Sequence, residues 1–199
     1  MSRNTGATMK GDNTMKCEGN AIYIRFLEDQ DVKAVTELQL RNQTFFDQYV
    51  STRTSEFYTI KYQAQLIQDN VLQRERDEKY TFGIFVKDTD MLIGSITLSE
   101  VLRGPLQNCF IGYYLDLEHN GKGFMTEAVA LVLRYAFDIL HLHRIEAGVM
   151  PHNKGSIRVL EKAGFQKEGI ARKNVNIKGN WEDHQVLAII SEDLEGRSL

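Results

Sequence analysis

The chain has 199 residues, 42% of them hydrophobic, with 24 Lys and Arg against 27 Asp and Glu and a formal net charge of -3. That length and apolar content suit one domain with its own core, and charges of both signs are interleaved, so the basic stripe that nucleic-acid readout needs is missing. Apolar runs stay far below the ~20 residues that span a bilayer, and Cys17 and Cys109 lie in no metal-ligand or CxxC spacing. The expectation is a reduced, cytoplasmic protein that neither reads nucleic acid nor enters a membrane.

Residues 1–20 are polar throughout and lack the apolar stretch of a secretory signal, which reads as a loose extension. The domain is expected over 21–195. Ile22 to Leu27 is a short β-prone run, and the acidic Glu28-Asp29-Gln30-Asp31 then opens a helix to about Asn42 with Val32, Val35, Leu38 and Leu40 on its apolar face. Gln43 to Thr54 has no periodicity and reads as a loop. Ser55 to Lys79 is helical again, one long helix or a pair, with Phe57, Ile60, Ala64, Ile67 and Leu72 on one side. Thr81 to Lys87 and Met91 to Val101 form a hairpin around Asp88-Thr89-Asp90.

Asn108 to Leu117 is a further strand and Phe124 to Leu140 a long helix. Arg144 to Met150 is a strand, and Ser156 to Ala163 a helix stopped by Gly164. Strands over Phe165 to Ile177 and Asp183 to Ser191 flank a turn at Lys178-Gly179-Asn180. This order predicts an α/β fold on a mixed sheet, without a regular βαβ repeat.

Two segments carry chemistry. The first is Tyr113 to Ala128, a strand that enters a glycine turn, Asn120-Gly121-Lys122-Gly123, and passes straight into a helix. Glycines let the backbone approach a ligand, and the unpaired N–H groups of a helix start attract phosphate. Alone, such a turn is as often an ordinary surface turn, and neither GxxxxGK[ST] nor GxGxxG is present. The second is Pro151 to Phe165, by itself a capped helix with Asn153 as N-cap and Ile157, Leu160 and Phe165 facing the core. His141 and His143 lack further ligands for a metal and suit a helix end. Trp181 with Glu182 and Asp183 reads as a turn and strand start.

Together these segments resemble the GNAT acetyltransferase family, in the branch that includes the ribosomal-protein N-terminal acetyltransferases. The resemblance runs from about Ile22 to Leu194. It takes in Ile24-Arg25-Phe26-Leu27-Glu28, Leu92-Ile93-Gly94-Ser95-Ile96, Ile111-Gly112-Tyr113, the glycine turn with Thr126-Glu127-Ala128, Asn153 to Ser156, Lys162-Ala163-Gly164-Phe165, and Gly179-Asn180-Trp181-Glu182-Asp183-His184. It implies a single domain with a mostly antiparallel sheet, a splayed strand pair and flanking helices. It also implies acetyl-CoA as donor and direct attack of an amine on the thioester. The acceptor would be a protein N-terminus, ribosomal proteins included, or alternatively a small-molecule amine. A non-catalytic acyl-CoA-binding module is the alternative of another class, and a homodimer is left open.

By resemblance, backbone groups of Leu115 and Leu117 would pair with the pantetheine arm. Those of Asn120, Gly121, Lys122, Gly123, Phe124, Met125 and Thr126 would hold the pyrophosphate, and Asn153 and Ser156 would line the acetyl and thiol end. The chain departs from the family at several positions. Asn120 stands for the usual Gln or Arg and Met125 for Gly or Ala. Phe110 stands for a glutamate base, and Leu160 for a tyrosine that protonates the thiolate. Ser156 is the nearest substitute hydroxyl, and Glu100, at the end of a hairpin strand, is the candidate base, a solvated strand-end residue being the plainer reading. Tyr113 and Tyr114 alternate, so that one faces the cleft and the other the core.

Overall fold

The computed structural model describes residues 15–194. Its strands are β1 Lys16–Glu18, β2 Ile22–Phe26, β3 Lys79–Val86, β4 Leu92–Leu102, β5 Asn108–Leu115, β6 Arg144–Val149, β7 Gln166–Ile177 and β8 Asn180–Ile190. Its α-helices are α1 Val32–Arg41, α2 Gln43–Phe46, α3 Ile60–Glu75, α4 Phe124–Arg134 and α5 Lys154–Ala163. The strands form one sheet in the order β1-β2-β3-β4-β5-β6-β8-β7, antiparallel except where β5 meets β6. This is a single α/β domain with a mostly antiparallel open sheet; the order of elements predicts the α/β class, and the resemblance implies the mostly antiparallel pairing.

Helices cover both faces. The main core lies between the sheet and α4 and α5, where Phe82, Ile96, Leu98, Ile145, Val132 and Leu160 are fully buried. Met125, Ala128, Val129 and Val132 supply the α4 face at the spacing of three and four that a half-buried helix needs. A second cluster under α1 and α3 is built on Leu38, Ile67, Phe85 and Leu92. The last turn after α4, Tyr135–Ile139, widens to π geometry, with the Leu140 N–H donating to the Tyr135 carbonyl.

Several expectations are corrected. Residues 1–14 lie outside the described residues, but Lys16–Glu18, read as part of the loose extension, forms β1 against β2. Three residues are too few to show a period. Their turn is held by Glu127 of α4, which accepts the Ala21 N–H at 3.0 Å. Leu40 and Leu72 are about half exposed and Ile60 is 60% exposed, against the expected apolar faces. Buried Gln39 and Gln63 take inner positions instead, because each amide has a partner: Gln63 Nε2 donates to the Phe57 carbonyl, and Gln39 Oε1 accepts from Arg53. The segment read as a loop contains α2, whose Phe46 ring is buried 5.0 Å from Tyr114.

Among the described residues no helix is long and apolar enough to cross a membrane, and no three His, Cys, Asp or Glu side chains gather to hold a metal.

Candidate active site

The one parallel pairing ends early. β5 pairs with β6 only at Asn108↔Arg144, Cys109↔Ile145 and Phe110↔Glu146, while β5 continues to Leu115 and β6 to Val149. Beyond Phe110 the strands part. The Asp116 N–H donates to the Ile93 carbonyl, which makes Gly94↔Leu115 a non-hydrogen-bonded pair of the β4–β5 ladder. By the alternation of antiparallel rungs, the N–H and C=O groups of Tyr113 and Leu115 point away from β4, into the opening. The expectation for Leu115 therefore has a geometric basis.

Leu117 is different. Its N–H donates to Asn42 Oδ1 at 2.9 Å and its carbonyl accepts from the Asn120 N–H at 3.2 Å. These bonds lie within the turn and its anchor, so both groups already have a partner within the protein. The anchor is built from α1. Arg41 donates through Nε and one NH2 to Asp116 Oδ2 at 2.9 and 2.8 Å, and Asn42 caps α1 by donating to the Leu38 carbonyl. Asp116 is 4% exposed at its side chain. Burial pushes its carboxyl up, and the Arg41 guanidinium with the Asn42 amide outweighs that and holds it below the usual range. His119 Nδ1 lies 3.5 Å from the same oxygen without hydrogen-bond alignment.

The glycine turn then delivers the chain to α4. Gly121 and Gly123 have φ of +76° and +86°, where side chains with a Cβ are strained. A Cβ at either would meet nothing within 4 Å, so both face free space. The N–H groups of Phe124, Met125 and Thr126, at the first turn of α4, have no carbonyl a turn behind them. Lys122 is exposed beside them, whereas Met125 turns its side chain into the core. This is a cradle for an anion, and the donor set fits a pyrophosphate.

At the other side of the opening, Asn153 caps α5 by accepting the Ser156 N–H at 3.1 Å. Ser156 Oγ lies 2.9 Å from the Tyr113 hydroxyl, which also donates to the Ser156 carbonyl at 3.1 Å. Burial pushes the Tyr113 phenol up to about 12. The two tyrosines pack on opposite faces of the sheet, Tyr113 toward α4 and α5 with its hydroxyl on Ser156, and Tyr114 toward α1 and α3.

Leu160 is fully buried, one turn deeper than Ser156. Leu160→Tyr is therefore expected to overpack the core, lowering stability by about 1–3 kcal/mol without raising kcat. A melting curve and a rate measurement on the same variant check this.

Glu100 is exposed, at φ +53° in the bulge that shifts the β4–β5 register between Ser99 and Leu102. It follows Ser99, the β4 partner of Phe110, and so stands one strand from the point of splay. Sequence reading passed over Glu146, which pairs with Phe110. Glu146 Oε1 accepts from Arg144 Nε at 3.0 Å and Asn108 Nδ2 at 3.3 Å, and Arg144 also forks onto Glu168. A charged pair at period two inside an otherwise apolar strand was the available signal.

The remaining wall belongs to the acceptor side. Tyr49 stacks on His152 at 6.2 Å, and Ser51 Oγ donates to the Asn176 carbonyl at 3.1 Å, so the segment after α2 straps across to the β6–α5 loop and the β7–β8 hairpin. Trp181, 61% exposed, pairs with Asn176 beside that strap. His143 Nε2 lies 3.7 Å from Glu192.

A sheet with one parallel pair that splays, and a glycine turn at a helix start beside it, is the arrangement that the family resemblance implies for acetyl-CoA. Residues 21–166 match the family model described as acetyltransferase (GNAT) domain, and the chain belongs to that family. It is an acetyl-CoA-dependent N-acetyltransferase, with acetyl-CoA as acetyl donor.

The chain is 56% identical over 178 residues to "Probable N-acetyltransferase YjcK" of Bacillus subtilis (strain 168), covering 89% of this chain and 98% of that one. It is 34% identical over 173 residues to "[Ribosomal protein uS5]-alanine N-acetyltransferase" of Escherichia coli (strain K12), covering 86% and 89%. The ribosomal-protein-S5-alanine acetyltransferase structure from Vibrio fischeri superposes with a TM-score of 0.85 at 30% identity, over 90% of this chain and 98% of that one. Mycobacterium smegmatis RimJ, solved with CoA-disulfide, gives 0.84 at 26% identity, over 89% and 85%.

Proposed function

We propose that the acceptor is the N-terminal amine of a protein, a ribosomal protein included. The observation that carries this is the similarity, over most of both chains, to uS5-alanine N-acetyltransferases. A small-molecule amine is the second reading, favoured by the Tyr49–His152 and Ser51–Asn176 contacts that narrow the mouth.

The amine attacks the thioester directly, so the site has to polarise the carbonyl, take the amine proton and ease the departure of the thiolate. When bound, acetyl-CoA supplies the activated acyl group. Glu100 is proposed as the proton acceptor on its place beside the point of splay, and Ser156 as the donor near the sulfur. The N–H groups of the glycine turn and the first turn of α4 are proposed to hold the pyrophosphate, and Asn153 to fix the loop that lines the acetyl end. The setting we infer is cytoplasmic, which the two free, buried cysteines support.

The test offers acetyl-CoA with short peptides beginning Ala, Ser or Met, the same peptides blocked at the N-terminus, and in parallel spermidine, glucosamine and free amino acids. Acceptors are read by mass for the gain of one acetyl group. Acetylation of the unblocked peptides alone is the expected result, and turnover confined to the small amines overturns it.

A further inference from the structure

A phenol reaches the N-terminal turn of α5 from a different element, strand β5. Tyr113 stands on β5 beyond the last rung shared with β6, and its ring packs against the α4–α5 side of the sheet. Its hydroxyl meets Ser156 twice, at the side-chain oxygen (2.9 Å) and at the carbonyl (3.1 Å). The Ser156 N–H is fixed in turn by Asn153 Oδ1. Backbone and hydroxyl of Ser156 are thus both held, by residues on either side of the opening.

We propose that Tyr113 is a positioning residue for the leaving group: its hydroxyl donates to Ser156 Oγ and so aims the serine proton into the opening, toward the sulfur of bound coenzyme A. The inference rests on the cofactor reading above and adds to it the residue that orients the donor.

The geometry allows two proton arrangements. If the phenol donates to the Ser156 carbonyl, the serine proton is drawn back onto the tyrosine oxygen. If it donates to Ser156 Oγ, the serine proton is the free one. Developing negative charge on sulfur selects the second, because a hydrogen bond to a charged acceptor is worth about twice a neutral one. Burial keeps the phenol protonated through the neutral range. A phenol so weakly acidic does not surrender its proton to a thiolate whose acid has a pKa of about 8.5. The contribution is therefore a hydrogen bond and not proton transfer. As the amine nitrogen forms the C–N bond, the C–S electron pair passes to sulfur. The ammonium proton goes to the base and on to water, the thiolate takes its own proton from water after departure, and serine and tyrosine keep theirs.

Three variants test this on the full chain with coenzyme A itself as probe. Calorimetry measures binding to wild type, Tyr113→Phe, Ser156→Ala and the double variant. The pH dependence of alkylation of the bound coenzyme by iodoacetamide then gives the pKa of its thiol. Either single change is expected to raise the bound thiol pKa by about one unit, since each removes the same donor to the thiolate. The double variant should add nothing further, as for residues that act as one unit. In turnover, kcat should fall about tenfold with KM for acetyl-CoA within twofold, because the bond strengthens only as charge develops. A bound thiol that titrates identically in wild type and Tyr113→Phe, or effects that simply add in the double variant, would overturn the inference alone. Coenzyme A that fails to bind wild type would sink the cofactor reading, and this inference with it.

Discussion

Arg41→Ala is expected to lower the melting temperature by roughly 6–12 °C at pH 7, taking about 3 kcal/mol at 2–4 °C per kcal/mol for a domain of this size. The substitution leaves the Asp116 carboxylate, 4% exposed, without its counter-charge. Breaking a buried pair costs about 3–5 kcal/mol, and the 41% exposure of Arg41 itself sets the value at the low end. Asp116 has a folded-state pKa held below the usual range, so its contribution is fully present above the unfolded pKa of about 3.9 and is lost as pH falls through the lower folded value. In the variant the same carboxyl is buried without its partner, and its pKa moves up instead. The gap between wild type and variant should therefore be widest near pH 7 and shrink steadily toward pH 4. A gap that stays constant over that range would show that the pair does not act through charge. KM for acetyl-CoA should rise as well, because Asp116 and Asn42 tie the start of the glycine turn to α1.

Gly123→Ala should separate binding from stability. At φ +86° a Cβ costs about 1–2 kcal/mol of local strain, and no atom lies within 4 Å to add a clash. The melting temperature should drop by only roughly 2–8 °C. The free space that spares the fold is the space that a pyrophosphate would fill. A methyl group there, with any relaxation of φ, displaces N–H groups at the start of α4 from the anion. Losing one or two charge-assisted bonds at about 1.5–3 kcal/mol each weakens coenzyme A binding by at least about tenfold. Calorimetry against the folded variant measures this. Affinity within threefold of wild type would remove the phosphate from the turn.

What the sequence made legible was local. Gly121 and Gly123 in front of an apolar helix, Asn153 three residues ahead of Ser156, and the hairpin around Asp88 are each set by neighbours in the chain, and the structure forms each of them. The parting of β5 from β6 has no such mark. It arises from which rungs two distant strands share, and no residue between Ile111 and Leu115 announces it. The anchor of the turn joins Arg41 to Asp116 across 75 positions, and the Tyr113–Ser156 contact spans 43. Alternation along β5 fixes which side Tyr113 takes, but only the packing of α5 shows what waits there. The partner of the Leu117 N–H is hidden for a related reason, since Asn42 reads in sequence as no more than the end of a helix.

The opening between β5 and β6 also leaves a signature in amide hydrogen exchange. The N–H groups of Tyr113 and Leu115 lie in the middle of an eight-stranded sheet and yet behave as those of an edge strand, because the ladder on that side has ended. In the free protein they should exchange faster than those of Gly112 and Tyr114, which bond to β4. Coenzyme A, lying in the gap as a surrogate strand, should bring the two sets to a common rate.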